Sequence, residues 1–351
     1  MEKRVMVAMS GGVDSSVGAY LLKKQGYDVV GVTMCLGMTG EEGESRCCGP
    51  EAIEDARRVA SQIGIPHYVL DFSRELETMV MQPFIEGYLH GYTPNPCALC
   101  NRLIKFGQLL ERARTLGFDF LATGHYARLV STGGRLFLAK PADKRKDQTY
   151  FLGMIRQDTL PFLLFPLSEY TKEEVRQIAH QVELHNAEKP ASQEICFVRG
   201  KSYRELIEQR TSAQVSGLIV DGAGKPVGRH EGVYHFTVGQ RKGMGIGFGK
   251  RQYIIDIHPE KNEVVIGEQE ELDVKGFTAT GVNLFVEHLP PESSVKTRYS
   301  HDEKPCYVEF QSNTVVVHFP HPQRFVSPGQ VGVFYEGDRV IGAAPITALI
   351  R

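Results

Sequence analysis

VMVAMSGGVDSS, residues 5–16, is the stretch from which the architecture of this 351-residue chain can be read. Val5 and Val7 lie in an apolar run that predicts a short buried strand. Residues 10–16 supply a glycine-rich turn, and residues 17–24 predict a helix. A strand entering a Gly-Gly turn at a helix N-terminus leaves backbone N–H groups pointing into the turn. With the positive end of the helix dipole, they form a site for phosphate. Gly11 and Gly12 let the backbone approach closely, having no Cβ. Ser10, Ser15 and Ser16 are expected to add hydroxyl donors, and Asp14 to hold a magnesium ion.

The lysine of G-x-x-x-x-G-K-[ST] is missing, and so is the spacing G-x-G-x-x-G. SGGVDSS (10–16) instead resembles the PP-loop of the ATP pyrophosphatases, which bind ATP, adenylate a substrate oxygen and release pyrophosphate. An ordinary strand-to-helix turn also uses Gly and Ser. The match at all seven positions, on the first strand of an α/β pattern, favours the nucleotide loop.

At this length two or three domains are expected. The chain is 42% hydrophobic and 23% charged, as in ordinary globular proteins. No apolar run reaches membrane-spanning length and no signal-peptide core follows Met1, so a cytoplasmic protein without membrane association is expected. Seven cysteines, an odd number, argue against a disulfide scaffold and for catalytic or metal roles. A net charge of -2 does not announce a nucleic-acid binder. Basic stretches at 140–146 and 241–251 could supply local binding, although such runs are commonly solvated surface.

Residues 1–126 alternate strands and helices. A strand is expected at 29–35, a polar loop at 37–49, and a helix from Pro50 to about residue 63 with Glu51, Glu54 and Asp55 in its early turns. Further strands are expected at 67–71 and 118–123. This spacing implies βαβ units and a parallel sheet covered on both faces. Ligands of such sheets lie beyond the carboxyl ends of the strands. The Ser10 turn, the end of 29–35 and Thr123-Gly124-His125 would meet there. Cys47 and Cys48 in the polar loop read as bystanders, Cys35 as a small packed hydrophobe, and Cys306 as structural.

In YTPNPCALCNRLIKF (92–106), Pro94 and Pro96 force extended backbone on Thr93 and Asn95. Leu99, Leu103, Phe106, Leu110 and Ala113 then recur at helical spacing. Cys97 and Cys100 would sit on the first turn, where a thiol's pKa falls. A lone C-x-x-C admits a redox pair, half a zinc site or ligands of an iron–sulfur cluster, and no second C-x-x-C completes a zinc module. Cys196, in SQEICF (192–197), follows a helix signalled by the capping box Thr171-x-x-Glu174 and by Val175, Ile178, Ala179 and Val182. From its neighbours alone Cys196 reads as a core cysteine.

After residue 200 the alternation stops. A short helix at 202–209 precedes strand-like pieces at 218–220, 234–237, 253–257 and 263–266, a small, mostly β central domain. Its loop GQRKGMGIG (239–247) carries Arg241 and Lys242 on a glycine-flexible tip, either an exposed turn or a contact for an RNA backbone. Strands at 277–286, 295–298, 306–311, 314–319, 332–335 and 339–346, with a hairpin turn at Ser312-Asn313, predict a C-terminal six-strand β-barrel. The expected domains are 1–200, 201–270 and 271–351.

SGGVDSS, TPNPCALCN followed by IKF, ATGHYAR, KDQTYFL, SQEICF and GQRKGMGIG occur in this order. Together they resemble the tRNA-specific 2-thiouridylases over essentially the whole chain. The resemblance implies a transferase that performs ATP-dependent 2-thiolation of the wobble uridine, U34, of tRNA. It assigns ATP to Ala8, Met9, Ser10, Gly11, Gly12, Val13, Asp14 and Ser15, with Met34 and Gly124. Asn95, Pro96 and Cys97 would touch the target uridine. His125, Lys146, Asp147, Gln148, Arg298, Tyr299 and Gln330 would contact tRNA. Cys100 matches the catalytic nucleophile and Cys196 the cysteine that carries a persulfide, loaded by a sulfur-donor protein such as a cysteine desulfurase or a sulfur-relay protein. Their disulfide would release the sulfur.

One departure stands out. The commoner family pattern has an acid where this chain has Cys97. Cys97, Cys100 and Cys196 could then ligate a [4Fe–4S] cluster whose fourth iron binds sulfide, so persulfide and cluster delivery both stay open. Two other functions compete: a PP-loop ligase or amidotransferase acting on a small molecule, and a non-catalytic RNA-binding protein with a metal site. The first would not need paired cysteines, and the second has no use for a PP-loop.

Overall fold

The computed structural model describes residues 2–39, 45–46, 50–190, 195–198, 202–211, 215–244, 251–311 and 314–351. The chain divides into two compact units. The first comprises Met1–Val80, Cys97–Phe197 and Gly337–Val340, and the second Met81–Pro96, Val198–Glu336 and Ile341–Arg351.

In the first unit, β1 (Arg4–Ala8), α1 (Val13–Lys24), β2 (Asp28–Cys35), α2 (Pro50–Ile63) and β3 (His67–Asp71) follow one another as the alternation predicts. With β4 (Phe120–Thr123) and the short β5 (Leu163–Leu164), the strands form one sheet in the order β3-β2-β1-β4-β5, every pair parallel. Val5, Val7 and Val29 are buried in it. Val17, Ala19, Ala56, Val59 and Val175 pack against them from the helices. Sheet burial therefore dictates the near-continuous apolar runs of β1 and β2.

Three details depart from expectation. The helix after the glycine turn starts at Val13, not at residue 17, so Asp14, Ser15 and Ser16 belong to its first turns. Val13 is buried and draws the helix back into the turn. Cys35 is buried at the end of β2, but it is disulfide-bonded rather than simply packed. The helix expected from Ala98 runs over residues 96–115, and its middle, Asn101–Leu109, is π-helical. Cys47 and Cys48 lie outside the described residues.

The second unit holds the β structure. Pro226–His230, Gly217–Asp221, Glu263–Gly267 and Tyr253–His258 form a four-stranded sheet in that spatial order. Ile219, Phe236, Ile254, Val264 and Ile266 form its core. The strand expected at 234–237 is instead a 3-10 turn over Val233–His235, with Phe236 N–H donating to the carbonyl of Val233. Alternation over four residues fits a turn with two buried aromatics equally well. Strands Val274–Thr280, Thr314–Gln323, Lys304–Gln311, Glu292–Lys296, Val331–Glu336 and Arg339–Ile350 neighbour one another in that order. The last pairs antiparallel with the first, Phe277 opposite Leu349, so six strands close into a barrel around Phe277, Val295, Val317 and Phe334. The barrel is the one expected, and closure leaves no free edge. Ser312 and Asn313 lie outside the described residues.

Candidate active site

The phosphate loop is built by close approach. Gly11 has φ +71°, and a Cβ there would lie 2.2 Å from the Ala52 carbonyl oxygen of α2. Both facts demand glycine. Gly12 is the N-cap of α1 and supplies no capping side chain, so the helix N-terminus stays open to an anion. Met9 is pinned from both sides: its N–H donates to the carbonyl of Val32, and its own carbonyl accepts from Thr33 Oγ1 at 2.8 Å. Ala8 stands opposite Val32 and Thr123, so the loop, Met34 and Gly124 share the carboxyl edge of the parallel sheet. Gly124 meets α1 directly, since a Cβ there would lie 2.6 Å from the backbone nitrogen of Ser15.

The serines do something other than expected. Ser15 and Ser16 are buried, and each donates its hydroxyl to the carbonyl of Gly12 at 3.0 Å. They lock the loop. Ser10 alone is exposed. Asp14 also differs from expectation. Its Oδ1 accepts from Lys172 Nζ at 2.5 Å and from the Tyr126 hydroxyl at 2.8 Å. The Lys172 ammonium and the Tyr126 hydroxyl thus share one oxygen of the carboxylate, and no step is assigned to a magnesium ion.

Asn186, Lys172 and Tyr126 are the residues that sequence reasoning missed. Asn186 Nδ2 donates to the carbonyl of Gly11 at 3.1 Å and to Ser16 Oγ at 2.9 Å. Lys189, three residues on, pairs with Asp55 of α2. The segment leading towards Cys196 is thereby fastened to the phosphate loop. Contacts across 158 to 175 residues leave no local periodicity. Tyr126 alone had a signal, its place within ATGHYAR.

Cys97, Cys100 and Cys196, none of them in a disulfide, all lie within the first unit, Cys97 exposed, Cys100 buried and Cys196 half-buried. They stand close enough for their charges to couple. The helix N-terminus does not lower these thiols. Burial pushes Cys100 up to about 11, with Lys105 opposing and Cys196 and Cys97 adding to the rise. Desolvation moves Cys97 the same way. Among the described residues no three His, Cys, Asp or Glu side chains converge as a metal-holding group. No step is derived through a cluster.

His125 lies directly after the loop's neighbour Gly124 and senses the charge of Lys105, as Cys97 and Cys100 do. Its Nδ1 lies 2.7 Å from Thr123 Oγ1, and its ring packs 5.9 Å from that of Phe106, the neighbour of Lys105. Burial first, then Lys105, holds its pKa well below the usual histidine value, so it is neutral near pH 7.

The other expected tRNA contacts divide. Lys146 is exposed and makes no ion pair among the described residues. Asp147 is buried and accepts from the backbone and hydroxyl of Thr149, while Gln148 Oε1 accepts from the backbone of Tyr126. Lys144 and Arg145 of the same basic stretch are paired with Asp338 and with Asp143 and Glu173. In the second unit Tyr299 is exposed, whereas Arg298 donates to the carbonyl of Val238 and to Ser327 Oγ. Gln330 Nε2 donates to the carbonyl of Thr93 at 2.8 Å, just before half-buried Asn95 and buried Pro96. Arg241 and Lys242 are exposed, and residues 245–250 of their loop lie outside the described residues.

A parallel α/β unit that holds both an open phosphate loop and three cysteine thiols, joined in one chain to a β-barrel, defines a class of ATP-using, thiol-bearing enzymes. Family models agree, matching a tRNA methyl transferase HUP domain at residues 3–200, a tRNA methyl transferase PRC-barrel domain at 204–268 and an aminomethyltransferase beta-barrel domain at 274–346. The chain is 48% identical to the tRNA-specific 2-thiouridylase MnmA of Carboxydothermus hydrogenoformans, over 98% of this chain and 97% of that one. It is 46% identical to MnmA 1 of Syntrophus aciditrophicus, over 99% and 93%. The chain belongs to the tRNA-specific 2-thiouridylase family. Among the described residues no helix is long and apolar enough to cross a membrane.

Proposed function

We propose that this chain uses ATP to replace the C2 oxygen of the wobble uridine of tRNA with sulfur. The observation that carries this reading is the presence, within one compact unit, of an anion-ready phosphate loop and the mutually coupled, reduced Cys100 and Cys196. Whole-length likeness to 2-thiouridylases favours it over a small-molecule ligase.

The C2 oxygen is a poor leaving group. Attack by that oxygen on the α-phosphorus of ATP, seated on residues 8–15 with Met34 and Gly124, forms an adenylate and expels pyrophosphate. A persulfide on Cys196, loaded by a sulfur-donor protein, attacks C2 through its outer sulfur, and AMP leaves with the former oxygen. Cys100, in the small thiolate fraction formed when its proton passes to solvent, then attacks Sγ of Cys196. The sulfur–sulfur bond breaks, the outer sulfur stays on C2 as 2-thiouridine, and a Cys100–Cys196 disulfide forms, to be reduced by an external thiol. Neutral His125, exposed Lys146 and Tyr299, and the Asn95–Cys97 segment are assigned to tRNA, which must present the base unstacked. Arg298 and Gln330 are assigned there too, as residues whose present partners they would share or exchange. Asp147 and Gln148 act by shaping the turn that carries Lys146.

The test is pyrophosphate release that depends on added tRNA, with 2-thiouridine as product. Release without tRNA, or in response to a small carboxylate, would contradict the proposal.

A further inference from the structure

We propose that Lys172 is a positioning residue of the nucleotide site: by neutralising Asp14 it lets the phosphate loop accept a polyphosphate. This rests on the ATP-using reading above. An acid in the first turn of a helix is satisfied by the dipole. In α1 the same helix end must also receive the phosphates of ATP, and a bare carboxylate beside them would repel them. The chain brings a cation to that carboxylate from 158 residues away, with Lys172 Nζ 2.5 Å from Asp14 Oδ1.

The placement of Lys172 is costly in its own helix, which makes its target informative. It is the first residue of the helix Lys172–Gln181, where the dipole disfavours a positive charge. The Thr171–Glu174 capping box already completes that end, so the helix has no use for the ammonium. The root of Lys172 is fixed, its backbone N–H donating to Asp143 Oδ2 at 3.1 Å. Its side chain is 11% exposed and that of Asp14 is 30% exposed, so the pair is poorly screened. Tyr126 adds a second donor to the same oxygen, and Gln148 holds its backbone from both directions.

Binding of a non-hydrolysable ATP analogue is measured by calorimetry, without tRNA or sulfur donor, on wild type, K172R, K172M, D14N and D14N/K172M. K172M is expected to bind the analogue weaker by roughly 10- to 100-fold, with its tRNA affinity retained. K172R keeps the charge and is expected to stay within about threefold of wild type. The decisive variant is D14N/K172M, which lacks both charges and is expected to bind as D14N does. It also decides the question if K172M alone does not fold. Unchanged binding by K172M, or a double variant far weaker than D14N, would overturn the proposal; the latter would mean that Lys172 contacts the phosphates itself. Failure of the wild type to bind the analogue would instead sink the ATP-using reading.

Discussion

Cys100 shows how one residue's surroundings can reverse what its sequence position suggests. A thiol on the first turn of a helix gains from the dipole, yet burial outweighs that gain and leaves the group protonated at neutral pH. Raising the pH by one unit should therefore raise the thiolate fraction about tenfold, up to the neighbourhood of pH 11. Alkylation of Cys100 by iodoacetamide, followed by peptide mapping, should climb with that slope from pH 7 to 10; a plateau above pH 8 would contradict it. K105M removes a named cation that opposes the rise and should slow the same alkylation severalfold at pH 8. Because the unfolded chain gives up this proton first, folding stability should also fall as pH climbs from about 9 towards 11. Gly11 supplies a second residue-scale prediction. G11A meets both a left-handed φ and the Ala52 carbonyl, and should cost about 1–3 kcal/mol in urea melts and abolish ATP binding. An alanine variant that binds ATP normally would contradict the loop geometry.

Elements were legible where one physical signal dominated. Pro50–Ile63 and His67–Asp71 fall where the proline start, early acids and apolar run put them. The hairpin of Arg128–Thr132 and Arg135–Ala139 went unread, although Gly133-Gly134, both at positive φ, is a recognisable two-residue turn. The π-helical stretch Asn101–Leu109 had no signal, because its apolar spacing is that of an ordinary helix. Its i→i+5 ladder shifts which side chains share a face and places Lys105 where its charge reaches Cys97, Cys100 and His125. The capping box was fully legible, since both partners are local. T171A should cost about 1 kcal/mol of stability in the first unit, read as a lower urea midpoint at unchanged slope. Because that cap sits beside Lys172, the same variant should also weaken ATP binding, though less than K172M. A loss of stability with ATP affinity unchanged would separate the cap from the loop.

At the scale of the molecule, the chain's order is not its packing. The C-terminal barrel closes by pairing Val274–Thr280 with Arg339–Ile350, a contact between the two ends of the domain. F277A, emptying a fully buried ring, should destabilise the second unit by about 3–5 kcal/mol while leaving ATP binding to the first unit intact. Coincident loss of both would contradict that independence. Within the first unit, the parallel sheet gathers the phosphate loop, Gly124 and His125, and Asn186 fastens the segment that leads to Cys196 onto that loop. No local pattern announces that fastening. The most direct test is a single turnover with wild-type protein loaded with one persulfide on Cys196, ATP and unthiolated tRNA, quenched without reductant. One 2-thiouridine and one Cys100–Cys196 disulfide per active protein are expected, the disulfide found by peptide mapping. Thiolated tRNA with both cysteines recovered as free thiols would contradict the proposed transfer.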